Sequence, residues 1–337
     1  MTSLPPLRLV VLGTGPFAVP MLAALRQSQH HVAAVVTRPD RTAPTRRPPA
    51  NPVREAAQAA GMTIFAPGRI NDADAVAAVA DLAPDLLVVC DYGQILSPAV
   101  LAAAPLGGIN LHGSLLPRHR GAAPVQWAIL EGDPITGVSV IRMTPALDAG
   151  AVIVARAAPI YPGDTAPALE SHLAELGAGA VLEALERIGA ARTLARPGEP
   201  LEIGMPQDES KATRAPRLTK ADGVVDWSRP AARIERMRRA LEPWPRTTAF
   251  LDRPPGGTAR LVLDDVAVER PPAAAAGASP GTILAAGEAG LVVACGGGTA
   301  LAIRRVVPEG RRPMTAAEFL RGHPILPGMH FAIQSTP

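Results

Sequence analysis

The sequence predicts an α/β fold with a mostly parallel sheet, followed by a small β-barrel. Three observations carry that prediction. Over residues 7–114, short runs that are apolar throughout alternate with stretches of helical spacing. Strands apolar on both faces are covered on both sides, which is the habit of parallel sheets. After the Pro-Trp-Pro at 243–245 the chain turns to short strands separated by turn residues. Between these regions, 191–223 carries Pro197, Gly198, Pro200, Pro206 and Pro216 with little periodicity, the composition of a linker.

The elements follow in order. LRLVVLG (7–13) is a first strand and FAVPMLAALRQS (17–28) has helical spacing. HVAAVVT (31–37) is a second strand, NPVREAAQAAG (51–61) a helix closed by Gly61, and TIFAP (63–67) a short third strand. A helix capped by Asn71 leads to DLLVVCDY (85–92) and then to GGINLHGS (107–114). TGVSVIRM (136–143) and AVIVARAAPI (151–160) flank TPALDAG and read as a hairpin, and a helix over 164–189 follows. One more helix is expected at 228–241, ahead of RLVLDDVAVE, GTILAAG, GLVVACGG and TALAIRRVV, the strands of the barrel, with PPAAAAGASPG (271–281) as a loop inside it. The expected domains are 1–190, a linker at 191–210, and 211–337.

Composition narrows the class. Hydrophobic residues make up 47% and aromatics only 3%, so the core is aliphatic. All but two of the 33 basic residues are arginine, the lysines being Lys211 and Lys220. Cys90 and Cys295 sit far apart in apolar runs and read as buried thiols of a reducing compartment, outside any disulfide or metal site. Met1 stands close to the first strand, and no signal-like or membrane-length apolar segment is seen, so a cytoplasmic protein without membrane attachment is expected.

GTGPFA (13–18) fits the Gly-x-Gly-x-x-Ala turn of dinucleotide sites. The acidic residue that should end the second strand is absent, its place taken by Thr37 and Arg38. Close packing at a strand-to-helix turn is the better reading, with an NADP oxidoreductase as the rival.

INLHGSLLPRHRGAAP (109–124) is more informative. Residues two apart on a strand face the same way, so Asn110 and His112 project together at the carboxyl end of the sheet, where ligands of such folds bind. Asp148 lies in the hairpin turn, where an Asp ordinarily serves turn chemistry; it joins the set if the hairpin folds back over the same crevice and the carboxylate reaches the imidazole. A neutral imidazole accepts a proton near pH 7, a carboxylate orients it, and an amide donates to a developing oxyanion. That set suits acyl transfer to an amine without a covalent enzyme intermediate. The seven histidines show no metal-ligand spacing.

NLHGSLLPRHRGAAP with LDAG downstream resembles the 10-formyltetrahydrofolate-dependent formyltransferases. The superfamily includes enzymes acting on glycinamide ribonucleotide, on amino sugars and on methionyl-tRNA. GTGPFAVPMLAAL, TRPDR, YGQIL, ATRAPRLTKADGVVDW, EPWP and PEGRRPMTAAEFL resemble the last group, almost end to end. The resemblance implies a Rossmann-like formyltransferase domain and an OB-like carboxyl domain. It implies that His112 takes the proton of the methionyl amine, Asp148 orients His112 and Asn110 stabilises the oxyanion. The co-substrate 10-formyltetrahydrofolate is expected against Ser114, Leu115, Leu116 and Pro117 and the backbone of Tyr92, Gly93, Gln94, Ile95 and Leu96. No metal is implied, and the enzyme is expected to be a monomer. An amino-sugar N-formyltransferase is the alternative, and a non-catalytic tRNA- or folate-binding relative a further one.

Charge bears on the partner. Residues 211–246 hold ten basic residues against four acidic ones, and 38–54 hold five arginines against Asp40, in a chain of net charge +3. Such stretches are what phosphate-backbone binding needs. With the resemblance, they imply contacts to the acceptor stem of initiator methionyl-tRNA from Arg41, Arg46, Arg47, Arg214, Arg217, Lys220, Arg233 and Arg236. The chain departs from the family at TAPTRRPP (42–49), where Gly-Arg-Gly is common, and at Ala149 and Ala151 beside Asp148.

Overall fold

Aliphatic runs buried from end to end build the first sheet. In β1 (Arg8–Gly13), Leu9, Val10, Val11 and Leu12 have no exposed surface, and the same holds for Leu86 to Val88 in β4 (Leu86–Cys90). The computed structural model describes residues 5–39, 51–194, 201–252, 257–271 and 277–332. They fall into two units, the described residues of 1–124, 135–159 and 168–216 in the first and those of 125–134, 160–167 and 217–337 in the second.

In the first unit, α1 (Val19–Gln27) follows β1, and β2 (His31–Val36), α2 (Pro52–Ala59) and β3 (Ile64–Phe65) come next. After α3 (Ala73–Asp81) and β4, helix α4 (Pro98–Ala102) precedes β5 (Gly108–His112). After β6 (Arg120–Gly121) comes α5 (Pro124–Glu131), which from Val125 on belongs to the second unit; the first unit continues with the hairpin β7 (Ile135–Arg142) and β8 (Val152–Pro159) and with most of the long helix α6 (Ala166–Leu194). The strand order is β3-β2-β1-β4-β5-β7-β8, parallel through β5 and antiparallel for the last two pairs. The expected parallel sheet and hairpin are therefore joined in one sheet, with β5 at the change of direction. β9 (Arg214–Ala215), from the proline-rich stretch, pairs in parallel with β6.

Two boundaries differ for a visible reason. α3 starts after Asp72 because Asn71 is occupied elsewhere: its amide donates to the Ile95 carbonyl (2.9 Å) and its Oδ1 accepts from Ser97 N–H (2.8 Å). In the second unit, α7 (Ala231–Ala240) begins only after Pro230, because Asp226 bonds Ser228 and Arg229 in a local turn.

The second unit curls β10 (Thr248–Asp252), β11 (Thr258–Glu269), β12 (Ile283–Gly287), β13 (Gly290–Cys295) and β14 (Thr299–Pro308) into an antiparallel sheet ordered β10-β11-β14-β13-β12. β15 (Met314–Thr315) adds to β14, and α8 (Ala316–Gly322) follows, its first turn fixed by a Thr315–Glu318 capping box. Residues 328–332 join the two edges. Asp252 N–H donates to His330 O, Ala332 N–H to Phe250 O, Ile283 N–H to Met329 O and Phe331 N–H to Gly281 O. Closure in this way removes the free edges of the sheet. Inside lie Trp227, Leu261, Ile303, Phe319 and Phe331, with the Trp227 and Phe331 rings 5.0 Å apart. Of the barrel elements, β10, β15, α8 and the closing segment had no signal in the apolar pattern.

Candidate active site

β5 carries Asn110 and His112 to the carboxyl end of the sheet, between β4 and β7. His112 is 6% exposed. Its Nε2 lies 2.9 Å from the His119 carbonyl oxygen, which can only accept, so Nε2 carries the proton of the neutral ring. Nδ1 is then the atom with the free lone pair, and it faces Asp148 Oδ2 at 3.8 Å, beyond hydrogen-bond length. The tautomer is set by the His119 carbonyl and not by Asp148, a partner that sequence reasoning missed. A ring protonated at Nδ1 would meet a carbonyl on one side and a carboxylate on the other, both nearly withdrawn from water. That arrangement stabilises an imidazolium.

The loop after β5 is pinned from inside. Ser114 is fully buried, and its hydroxyl donates to the Arg118 carbonyl (2.7 Å). Ser139 donates to the Ser114 carbonyl (2.8 Å) and accepts from Leu116 N–H (3.1 Å). His119 then takes a left-handed φ of 59°. Asn110 is half-buried, and among the described residues nothing hydrogen-bonds its amide. It is available to a ligand.

Asp148 reaches the site from the β7–β8 turn with φ of 50°, a conformation that costs a non-glycine residue about 1–2 kcal/mol. Three hydrogen bonds hold it there. Gly121 N–H donates to its Oδ2 (2.9 Å), and the Gln207 amide donates to the carbonyls of Asp148 (2.8 Å) and Gly150 (2.7 Å). Gln207 Oε1 accepts from Arg120 (2.7 and 3.1 Å), whose guanidinium also grips the Glu209 carboxylate (2.6 and 2.8 Å). That grip holds the Glu209 carboxyl below its ordinary range. Gly150 and Gly121 are required by space: a Cβ on Gly150 would lie 1.8 Å from the Arg142 carbonyl oxygen, and one on Gly121 2.4 Å from that of Ala215.

The residues expected around the folate divide by what their side chains do. Tyr92 and Leu96 point into the core with Leu12, Val36, Val89 and Val100. Gln94 accepts from Ile70 N–H (3.0 Å) and donates to the Gly68 carbonyl (3.4 Å). Ser114 is committed to its own loop. What remains accessible is backbone around Gly93–Ile95, the Ile95 side chain at 76% exposure, and the half-buried Leu115, Leu116 and Pro117. An outward-facing apolar side chain on a segment anchored through Asn71 and Gln94 suits a flat heteroaromatic ligand that uses backbone groups for its polar edge.

The glycine turn is a packing device. A Cβ on Gly15 would fall 1.7 Å from Asp91 Oδ2, so a carboxylate occupies the place where a dinucleotide would bring its phosphates. Asp91 as a residue keeps over a third of its surface, but its carboxylate abuts the turn. Desolvation first, then the charge of Glu170, push its pKa up to about 6.

Of the basic residues expected to meet nucleic acid, Arg41, Arg46 and Arg47 lie outside the described residues. Arg214, Arg217 and Lys220 are exposed. Arg233 and Arg236 both donate to the Leu130 carbonyl near the end of α5, and Arg233 pairs with Glu131 (3.3 Å), so part of their charge caps a helix within the second unit.

Residues 7–185 match the family model described as formyl transferase, and 217–324 match that described as formyl transferase, C-terminal domain. The chain is 43% identical over 331 residues to the methionyl-tRNA formyltransferase of Rhodopirellula baltica, covering 96% of each protein. It is 43% identical over 327 residues to that of Gluconobacter oxydans, covering 96% of this chain and 99% of the relative. Among solved structures it resembles in fold an N-formyltransferase from Helicobacter canadensis, in complex with folinic acid and dTDP-3-aminofucose. The TM-score is 0.62, with 14% identity over 88% of this chain and 98% of that one.

Proposed function

The chain belongs to the formyl transferase family, and from that premise we propose how it moves the formyl group of 10-formyltetrahydrofolate to the α-amino group of methionyl initiator tRNA. Relatives that carry this activity in their names share two residues in five with it across nearly its whole length. The observation that carries the reading is the buried His112, with one ring nitrogen bonded to the His119 carbonyl and the other facing Asp148, beside an unengaged Asn110 amide.

Nδ1 of His112 accepts the proton that the amine sheds as its nitrogen bonds to the formyl carbon. Asp148 steadies the positive ring. At about 4 Å and an effective dielectric near 20, the attraction of two unit charges is about 4 kcal/mol before desolvation. Asn110 donates to the formyl oxygen as it gathers negative charge. When the bond from the formyl carbon to the folate nitrogen breaks, the proton held at His112 passes to that nitrogen. Formylmethionyl-tRNA and tetrahydrofolate are the products, and no electrons are exchanged. The folate lies against the backbone of 92–96 and against Leu115 to Pro117.

The finer assignments belong to the same proposal. Residues 1–190 carry catalysis, 191–210 connect, and 211–337 meet the acceptor stem through exposed cations such as Arg214, Arg217 and Lys220. The enzyme works as a monomer in the cytoplasm. Among the described residues no helix is long and apolar enough to cross a membrane.

The test is transfer from 10-formyltetrahydrofolate to methionyl initiator tRNA, methionyl elongator tRNA and a UDP-amino sugar, with the same purified protein. Fast transfer to the initiator alone is expected. Preference for the sugar would overturn the reading.

A further inference from the structure

We propose that Gln207 is a positioning residue for the reaction, holding the Asp148 loop so that its carboxylate faces Nδ1 of His112. The inference rests on the role given to Asp148 above. Gln207 lies 59 residues beyond Asp148, in the stretch whose composition reads as a linker, yet both of its amide N–H donors are directed at the Asp148 turn. One meets the carbonyl of Asp148 and the other that of Gly150 (2.8 and 2.7 Å). The first is the carbonyl of the left-handed residue itself and the second lies two residues on, so the turn that aims the carboxylate is held from its C-terminal side. Because the amide bonds backbone and leaves the Asp148 side chain untouched, it governs where that side chain points without taking up its charge.

The clamp also reaches the histidine. Gln207 Oε1 is held by Arg120, and Arg120 stands between the two residues that touch the pair. The carbonyl of His119 bonds His112 Nε2, and the N–H of Gly121 bonds Asp148 Oδ2. The same downstream segment carries these three residues. His119 N–H donates to the Thr213 hydroxyl (2.8 Å), Arg120 N–H to the Thr213 carbonyl (2.9 Å), and β6 pairs with β9. Glu209 completes the chain by fixing Arg120. Residues 207–215 thus set the position of both partners of the dyad, with Gln207 as the direct link to Asp148. Geometry of this kind is steep in its effect, since displacement of a reacting group by about 1 Å costs on the order of a hundredfold in rate.

The experiment compares Gln207→Met, which keeps the length and neutrality of the side chain and removes both donors, with Gln207→Glu, which keeps an acceptor for Arg120. Each is made alone and in an Asp148→Asn background. Alone, each is expected to lower kcat by about ten- to a hundredfold while KM for both substrates stays within about twofold of wild type. In the Asp148→Asn background neither is expected to add a loss, because a residue acting through Asp148 has nothing left to position. Undiminished kcat in both single variants, or a loss that multiplies in the double variants, overturns the proposal. The urea midpoint of each variant separates misfolding from mispositioning. Full activity of Asp148→Asn by itself would instead remove the catalytic reading, so the two failures are distinguishable.

Discussion

The crevice at the end of β5 and the interior of the barrel are built on opposite rules. In the crevice, left-handed residues (Asp91, His119, Asp148), glycines without room for a Cβ and buried polar side chains converge, each held by directed hydrogen bonds. In the barrel, Trp227, Phe319, Phe331 and aliphatic residues fill a core closed by main-chain bonds at 328–332. The first arrangement places atoms at the expense of stability, as functional sites tend to do. The second supplies stability with little demand on the position of any one atom.

Substitutions break or sharpen that contrast. The largest effect is expected from His112→Ala. Removing the proposed proton acceptor should lower kcat by about 10²–10⁴, while stability falls by only about 1–3 kcal/mol for the lost buried bond to His119, as seen by single-turnover kinetics beside urea unfolding. A collapse of stability with the rate loss would mean that the imidazole belongs to the scaffold. Next comes Trp227→Ala, which empties a fully buried site packed against Phe331, whose ring is tilted 39° to the indole. It should cost about 3–5 kcal/mol of stability, while kcat measured well below the midpoint stays near wild type. If kcat at low temperature fell as far as in His112→Ala, the division of labour would be lost.

The smallest expected effect is that of Asp91→Asn. The folded-state pKa of Asp91 is raised to about 6, above its ordinary value of 3.8, so the fold favours the protonated carboxyl. The stability this group contributes is full below the ordinary value and declines as pH rises through about 6. Solvent at Asp91 screens the effect, so the variant should gain only slightly in unfolding midpoint near pH 7.5, with no gain near pH 3. Equal midpoints at both pH values would show that the carboxylate at the glycine turn is not strained.

Legibility differs in the same way. The strands of the parallel sheet were readable because complete burial leaves continuous apolar runs, and β7 and β8 because a hairpin carries its turn between its strands. Asn110 and His112 were readable together because period two is a local rule. His119, Arg120 and Gln207 carried no such signal. The His119 contact is made by a backbone carbonyl, which any residue possesses. Gln207 sits among prolines with no periodic pattern around it and meets its partners across 57 and 59 residues. Arg233 and Arg236 show the converse limit, since their charge was visible but their use in capping α5 was not.

By itself the sequence determined the layered parallel sheet and the strand that brings Asn110 and His112 together as candidate site residues, because these follow from local periodicity and from side-chain chemistry. Which nitrogen of His112 is free, how far Asp148 stands from it, and what holds that distance were decided only in the tertiary structure. Each depends on hydrogen bonds from a segment remote in the chain, and a pattern of neighbouring residues does not encode the direction of a bond to a distant carbonyl.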